Sequence, residues 1–405
     1  MRLVVLGGSA SATPELADAL GRWPRGTERR PPLEVVLHGR TPERLELVAS
    51  EVRRRVSDVS GPPVSVRTET DLAIALEGAD VVLDAVRIGG LAARVFDESY
   101  PQRYACPGEE TMGPGGLANA LRTVPVVRSF WATVMEVAPD ALHINLTNPS
   151  GIVVAALERE FGGRVFSVCD SPIVFCDSVA ERLGQTAEEV RRRYQGMNHL
   201  GWWLPRGSAE LETTIDLATG VVPDVVRALG AIPAPYVRYY LQPAPILEKQ
   251  RAASETRAQQ LQRLEGELLQ GYAAGASDLP RRGAVWYETA VLPLVDAWFN
   301  GSDEVLILGL RNDGRLASLP DEVVTEGPVR IPRPGQLEFI ETPPLPPLAA
   351  SILAQHAAYE AMAVMATQPD ATRIDRLRAM LANPMVSGYD MADALVRDVE
   401  TGSPS

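Results

Sequence analysis

A cysteine and a histidine, each within a short distinctive motif, are the side chains of this chain best suited to chemistry. Cys169 begins the segment Cys-Asp-Ser-Pro, and His199 lies within Gly-Met-Asn-His-Leu-Gly-Trp, which begins at Gly196. A thiolate and an imidazole together suit one divalent metal ion. Next to a redox cofactor, such an ion would acidify a substrate hydroxyl. The alternative is an ordinary buried thiol and a hydrogen-bonded core histidine.

The start of the chain is typical of a fold that binds a dinucleotide. Residues 2–6 form an apolar run, and Gly7, Gly8 and Ser9 follow as a turn before a helix that begins near Pro14. The backbone N–H groups of such a turn and the helix dipole favour a pyrophosphate. The turn lacks a third spaced glycine, so a tight turn without a ligand is the alternative.

The end of the second predicted strand, residues 33–37, bears on the choice of cofactor. The chain continues there as His-Gly-Arg-Thr, where NAD-binding sequences usually have an acidic residue for the ribose. Arg40 suits the 2′-phosphate of NADP instead, so both NAD and NADP stay open. A solvated arginine at the start of a helix explains the same residue.

Strands and helices alternate along the first part of the chain. Apolar runs at residues 64–67, 79–86, 142–146 and 165–168 are predicted strands, and the main helices are predicted at residues 42–56 and 123–138. This alternation predicts an α/β fold with a Rossmann-like, doubly wound parallel sheet. Cys169 then follows the carboxyl end of a strand, where ligands bind in such sheets.

After about residue 175 the pattern becomes richer in helices, with aromatic loops between the first of them. Helices are predicted at residues 177–183, 187–194, 244–274, 286–299, 348–367 and 371–381, and strands at 304–310 and 322–331. We therefore predict a dinucleotide-binding Rossmann domain over residues 1–175. A helix-rich α+β domain over residues 176–405 would hold the substrate, metal and oligomerisation surfaces, as in lactate and malate dehydrogenases.

The composition excludes several classes of function. The 405 residues carry a formal net charge of -13, which argues against nucleic acid or an anionic membrane as the partner. The three cysteines have no disulfide spacing, and no segment is typical of a signal peptide or a membrane span. We expect a cytoplasmic enzyme that acts on a small molecule.

Further motifs make the chain resemble the family 4 glycoside hydrolases, which use a nicotinamide cofactor and a metal ion. In chain order, the matching blocks begin at Gly7, Thr13, Val86, Gly108, Asn148, Cys169, Asn198, Arg238, Arg282, Arg311 and Leu319. The resemblance is strongest to the branch that acts on 6-phospho-β-glucosides. It implies an NAD-dependent and Mn²⁺-dependent glycosidase that acts on a small glycoside.

The resemblance also implies a redox-elimination mechanism in place of hydrolysis between two carboxylates. The cofactor would take a hydride from C3 of the sugar, and a base would remove the proton from C2. The aglycone would leave from C1, water would add, and the hydride would return. Cys169 and His199 would bind the metal ion that holds the C2 and C3 oxygens.

Two side chains are implied to move protons in this cycle. Tyr240 is the expected base, with Tyr239 as the fallback, and one of the two tyrosines could simply pack between domains. Asp170 departs from the phospho-β-glucosidase branch, which generally has asparagine there. It could act as a general acid, or it could orient His199 or a metal-bound water. This departure leaves the preference for α or β glycosides open.

The remaining implied residues would bind the cofactor or the sugar. Arg87 joins Gly7, Gly8, Ser9 and Arg40 in the cofactor set. The sugar set comprises Arg94, Glu110, Asn148, Asn198 and Arg257. Within it, Arg94 and Arg257 suit a 6-phosphate because guanidinium pairs bidentately with phosphate oxygens. A solvated surface charge is the ordinary alternative for any one arginine.

A second function remains open on the same fold: an NAD(P)-dependent oxidoreductase or epimerase of a sugar or hydroxy acid that cleaves no glycoside. Arg40 and Asp170 motivate it, because both suggest a specialised cofactor or substrate. The resemblance further implies a homodimer or homotetramer. The pairs Trp202-Trp203 and Trp286-Tyr287 could lie at its interface or in the core.

Overall fold

A computed structural model describes residues 1–23, 32–57 and 63–402, and within these ranges the strands belong to one mixed sheet with helices around it. The strands are β1 (Arg2–Leu6), β2 (Leu33–His38), β3 (Val64–Glu69), β4 (Val81–Asp84), β5 (Leu142–Asn145), β6 (Val165–Ser167), β7 (Tyr194–Met197), β8 (Leu200–Trp203), β9 (Ile232–Pro233), β10 (Ser302–Arg311), β11 (Val324–Arg333) and β12 (Gln336–Phe339).

The helices vary from single turns to the long α5. They are α1 (Pro14–Arg22), α2 (Pro42–Ser57), α3 (Leu72–Leu76), α4 (Gly90–Ser99), α5 (Gly113–Val137), α6 (Ser150–Phe161), α7 (Ser171–Leu183), α8 (Ala187–Arg191), α9 (Ser208–Thr214), α10 (Pro223–Leu229), α11 (Arg238–Leu241), α12 (Pro243–Ala252), α13 (Arg257–Ala274), α14 (Leu292–Asn300), α15 (Pro347–Ala366), α16 (Arg373–Ala382) and α17 (Tyr389–Gly402).

The first six strands are parallel and follow the order β3-β2-β1-β4-β5-β6. This is the strand order of a doubly wound dinucleotide-binding sheet. Strand β1 lies at its centre, with Leu6 opposite His38 on one side and Asp84 on the other. Its apolar residues are buried, as expected for a strand covered on both faces. The predicted fold class is confirmed.

The sheet does not stop at β6 but continues into the second half of the chain. Strand β10 pairs antiparallel with β6, and β11, β7, β8 and β9 follow in that order, with β12 added beside β11. Strands from the first and second halves of the chain are therefore hydrogen-bonded to one another. The predicted domain boundary between residues 175 and 176 stays a prediction, and this position lies within α7.

Two predicted helices have different bounds in the structure. Helix α5 begins at Gly113 instead of residue 123, because the Glu109 carboxylate accepts the N–H groups of Thr111 (2.6 Å) and Met112 (2.8 Å) just before it. Residues 244–274 form two helices, α12 and α13. The Thr256 side chain caps the second by accepting the Gln259 N–H, which starts a new helix there.

The aromatic segment that we predicted as loops is a β-hairpin, β7 and β8. Its residues Trp202 and Trp203 are 0% exposed, so they are core side chains and the interface alternative is wrong for them. Tyr287 is also buried. Helix α17 was not predicted, although it buries four apolar residues against the rest of the molecule.

Gly7 is placed where only glycine fits. Its φ is +84°, and a Cβ there would stand 2.6 Å from the carbonyl oxygen of Ala85. We expect Gly7→Ala to lower the free energy of unfolding by at least about 1–3 kcal/mol, the cost of a left-handed non-glycine residue. Gly275→Ala is the matched control, because its φ is +65° but its Cβ would meet no described atom within 4 Å. Equal losses in urea unfolding would show that the contact with Ala85 is unimportant.

Candidate active site

The sheet brings the two motifs of the sequence together. Along one row of paired residues, Ser167 of β6 lies opposite Gly309 of β10, Gly309 opposite Glu326 of β11, and Glu326 opposite Gly196 of β7. Cys169 comes just after the first of these residues. The tip of the β7–β8 hairpin comprises Asn198 and His199. The Asn198 side chain hydrogen-bonds to both Cys169 and Glu326, so the two motifs are in contact.

His199 has the most unusual backbone of the site, with a φ of +62° at the second position of the two-residue hairpin tip. Non-glycine residues seldom adopt this conformation, and those that do are frequent at functional sites. The imidazole stacks on the ring of Tyr236 with centroids 3.9 Å apart. Its Nδ1 is buried and has no hydrogen-bond partner among the described residues.

Cys169 is held in a polar but shielded setting. Burial raises the pKa of its thiol well above the usual value, and the carboxylates of Glu326 and Asp170 add to this, while the Ser171 N–H and the Asn198 side chain oppose it. Sγ lies 4.0 Å from Oδ1 of Asp170. Asn198 also donates to Glu326 at 2.9 Å. Asn198 therefore links the Cys169 thiol to Glu326 on strand β11.

The donor atoms fit a divalent metal ion. A sulfur atom and the unpartnered His199 Nδ1 are available, and the buried Oδ1 of Asn198 also lacks a partner within the described chain. These ligand types suit a transition metal. Within the described ranges, no group of three or more His, Cys, Asp or Glu side chains closes a coordination shell. Such an open set leaves positions for substrate oxygens and water.

A chain of ion pairs lies along one side of the site. Glu110 accepts hydrogen bonds from Arg87 and from Nη1 of Arg94, the latter at 2.6 Å, and Arg94 Nε lies 2.6 Å from Glu98. Burial alone would raise the pKa of Glu110, but the two guanidinium groups outweigh it and lower this pKa to about 2. Arg94, predicted for a phosphate, is thus already engaged by two carboxylates.

Arg282 is a further arginine near the ion pairs of Arg87 and Arg94. The sequence analysis named it only as the first residue of a matching block. Burial lowers its pKa to about 10, and the nearby charges of Arg87, Arg94 and Arg257 act in the same direction. The Glu15 carboxylate fixes its loop by accepting the N–H groups of Gly283 (3.1 Å) and Ala284 (2.6 Å). A largely buried arginine with other arginines nearby indicates a site that could bind an anion.

The other predicted sugar-site residues are joined by an asparagine that we did not predict. The Asn119 side chain donates to the carbonyl oxygen of Glu110 at 2.9 Å and to that of Asn148 at 3.1 Å. It thereby fixes two segments that are distant in sequence. Arg257 lies at the exposed start of α13 and donates to Gln260.

Tyr240 and Tyr239 point to different surroundings. The ring of Tyr239 packs near that of Tyr236, with centroids 6.3 Å apart, whereas Tyr240 Oη lies 2.9 Å from His356 Nδ1. Burial raises the pKa of Tyr240 well above its usual value, Tyr359, Glu360 and Glu109 add to the rise, and the Gly113 N–H opposes it. His356 was not predicted, although its i, i+4 spacing to Glu360 on a helix is visible in the sequence.

The predicted cofactor turn has the expected shape. It joins β1 to α1, and the Gly8 N–H donates to the carbonyl oxygen of His38 at 2.8 Å. Nε of Arg44 donates to the carbonyl oxygen of Ser9 at 3.0 Å, which fixes the turn against α2. Arg40 is exposed beside it.

Among the described residues, none of the helices has both the length and the apolar character that crossing a membrane requires.

Known proteins resemble the chain along most of its length. A family model described as family 4 glycosyl hydrolase matches residues 3–185, and one for the C-terminal domain of that family matches residues 194–386. A probable 6-phospho-β-glucosidase of Bacillus subtilis (strain 168) is 30% identical over 98% of this chain and 95% of its own length. The phospho-α-glucosidase PagL of Clostridium acetobutylicum is 26% identical over 98% and 96%.

Among solved structures, the 6-phospho-β-glucosidase of Thermotoga maritima with manganese, NAD⁺ and glucose 6-phosphate is similar, with a TM-score of 0.86 and 27% identity. The match covers 98% of this chain and 97% of that one. The family matches extend over both halves of the sheet and over the segments that supply Cys169, His199 and Tyr240. This chain therefore belongs to the family 4 glycosyl hydrolases.

Proposed function

We propose that the protein is a glycosidase that cleaves 6-phospho-β-glucosides by redox elimination and addition. The observation that supports this most is the open Cys169 and His199 donor set beside a dinucleotide-type sheet, with His199 stacked on Tyr236, four residues before Tyr240. The relatives named above act on phosphorylated glucosides. When bound, the nicotinamide would accept and return the C3 hydride, and Mn²⁺ would acidify the C3 hydroxyl.

The chain's own residues would position the reactants. Cys169 and His199 hold the metal ion, Asn198 orients Cys169, and Tyr240 removes the C2 proton. Asp170, beside Cys169, is the group placed to donate a proton to the departing aglycone. The hydrogen-bonded turn at Gly7, Gly8 and Ser9 binds the pyrophosphate, with Arg40 near the adenosine ribose and Arg87 beside the sugar-site carboxylate Glu110.

A 6-phosphate would be bound where α13 starts. The Ala258 N–H at this start donates to Glu98 at 2.8 Å, so the start of α13 lies next to the ion pair between Glu98 and Arg94. Arg94 is neutralised by Glu98 and Glu110. Arg282, which pairs with none of the described carboxylates, is therefore a better phosphate ligand than Arg94, with Arg257 as its neighbour.

This placement predicts the effect of changing Arg282. We expect Arg282→Gln to raise KM for a 6-phosphorylated glucoside about 10–100-fold, since a charged hydrogen bond contributes about 1.5–3 kcal/mol. Hydrolysis of the unphosphorylated glucoside should change little. Arg263→Gln is the control, because Arg263 is an exposed residue of α13 paired with Glu255. Equal effects on the phosphorylated and unphosphorylated glucosides would exclude a phosphate contact.

The proposed function is tested with 4-nitrophenyl 6-phospho-β-glucoside deuterated at C2. Release of nitrophenol should require both NAD and Mn²⁺, and the deuterium should pass into the solvent. Cleavage without cofactor and metal ion would contradict redox elimination. Accumulation of reduced cofactor without nitrophenol would instead identify an oxidoreductase or epimerase.

The proposal includes three further points. The proposed preference for β-glucosides is tested by comparing their cleavage with that of the matching α-glucosides, because the phospho-α-glucosidase branch has an aspartate at the position of Asp170. NAD is to be compared with NADP, because Arg40 suits a 2′-phosphate. A cytoplasmic homodimer or homotetramer is proposed, and the cytoplasm would keep the Cys169 thiol reduced.

A further inference from the structure

Behind Tyr240, a buried histidine and a buried glutamate continue the hydrogen bond of its phenol. Tyr240 Oη lies 2.9 Å from His356 Nδ1, and His356 Nε2 lies 3.2 Å from Glu360 Oε1. His356 is 1% exposed and Glu360 is 6% exposed. Burial of such groups is costly unless they are hydrogen-bonded. The burial of His356 and Glu360 is therefore not explained by packing between helices alone.

Glu360 packs beside a second helix, α6. Its carboxylate lies against the first turn of α6, where a Cβ on Gly151 would stand 2.6 Å from Oε2. The N-terminal end of a helix favours a negative charge. Oε2 is buried and has no hydrogen-bond partner within the described residues. The His356 ring thus supplies the hydrogen bond of this carboxylate through Oε1.

A carboxylate oxygen accepts hydrogen bonds, so in the contact between His356 Nε2 and Glu360 Oε1 the ring nitrogen is the donor. The lone pair of Nδ1 then faces Tyr240, and the phenol donates to it. A hydroxyl, an imidazole and a carboxylate in series form the arrangement that activates a hydroxyl in catalytic triads. The Gly113 N–H, at the start of α5, favours the phenolate form of Tyr240.

We propose that His356 accepts the phenolic proton of Tyr240 and that Glu360 holds His356 in the tautomer that can do so. The proposal rests on the proposed function, in which Tyr240 removes the C2 proton. The O–H bond of Tyr240 breaks and an N–H bond forms at His356 Nδ1, which leaves a phenolate next to an imidazolium. His356 is thus a positioning and proton-accepting residue behind the base.

The proton balance closes over the full cycle. The phenolate takes the proton from C2, the C–H electron pair becomes the C1–C2 double bond, and the aglycone leaves with the electrons of its bond to C1. Asp170 gives its proton to the departing aglycone and takes one back from the water whose oxygen bonds to C1, while Tyr240 returns a proton to C2. His356 then returns its own proton to Tyr240. No oxidant or reductant beyond the cofactor of the proposed function is needed.

The proposal is tested with His356→Gln and Glu360→Gln in the holoenzyme. Each should lower kcat about 10²–10⁴-fold, the range for a lost proton-transfer group. KM should change little, and the C2-deuterium isotope effect on kcat should rise because C2 deprotonation becomes slower. The amide introduced by Glu360→Gln keeps the size of the side chain but can donate to Nε2, which reverses the tautomer. His143→Gln is the matched control, since His143 is also buried but bonds only to the carbonyl oxygen of Ala138 among the described residues.

A second comparison keeps the test independent of folding losses. In a Tyr240→Phe background, His356→Gln should cause no further loss of kcat, because both changes affect one step. Three results would overturn the relay, meaning the proton transfer from Tyr240 to His356 that Glu360 supports. They are additive losses in the double variant, an unchanged isotope effect, and a wild-type kcat in both His356→Gln and Glu360→Gln. If the wild-type enzyme releases no aglycone or loses no C2 deuterium, the proposed function fails and the relay fails with it. These results are distinguishable, because the wild type is measured first.

Discussion

Replacing Tyr240 with phenylalanine should lower kcat for the aryl 6-phosphoglucoside about 10²–10⁴-fold, the usual contribution of a positioned general base. The change removes the phenol oxygen that is hydrogen-bonded to His356 and leaves the ring in place. Steady-state kinetics measure the loss. The exchange of C2 deuterium with solvent should fall in parallel, because the same oxygen is proposed to remove this proton.

Tyr239→Phe is the control for this prediction. Its ring packs near Tyr236 in the same turn, and a phenylalanine preserves that packing. We expect its kcat to remain near that of the wild type. A large loss in Tyr239→Phe together with a small loss in Tyr240→Phe would assign the base to Tyr239, the fallback of the sequence analysis.

Replacing Cys169 with alanine should weaken Mn²⁺ binding at least about 100-fold, because even a lost outer-shell partner costs about 10–100-fold. The reason is that only His199 and the side chain of Asn198 would remain as donors near the ion. Titration calorimetry with Mn²⁺ measures the affinity. Activity should be recovered in part by raising the Mn²⁺ concentration.

Cys176→Ala is the matched control for this change. Cys176 is a buried thiol on α7, and burial raises its pKa as it does that of Cys169. Its removal should cost some stability but leave the Mn²⁺ affinity unchanged. Equal Mn²⁺ affinity in the wild type and Cys169→Ala would show that the thiol is not a ligand.

The sequence predicted the elements whose signals are local. The apolar runs of β1 and β2 and the turn at Gly7 and Gly8 were recognised because a buried parallel strand and a glycine turn each have a distinct pattern. The start of α5 was missed because its first turn contains Gly113 and further glycines. A distant feature compensates for them, namely the Glu109 carboxylate that accepts backbone N–H groups there.

The candidate site was predictable only in part for a similar reason. Motifs indicated Cys169, His199 and Tyr240, but the partners of these residues come from elements far along the chain. Glu326 and Asn198 are 128 residues apart, and Tyr240 and His356 are 116 apart. Neither Glu326 nor His356 lies in a motif that the sequence analysis used. Their roles depend on tertiary contacts, which local spacing does not encode.

The insertion of β10 and β11 between β6 and the β7–β8 hairpin has a consequence for the order of events during synthesis. A ribosome that has reached residue 203 has already made Cys169 and His199, but the two strands that separate and orient them comprise residues 302–333. Domains of nascent chains fold as their residues emerge. The parallel strands β1 to β6 are therefore complete long before Cys169 and His199 reach their final positions, and the proposed nucleotide site would form before the proposed metal site.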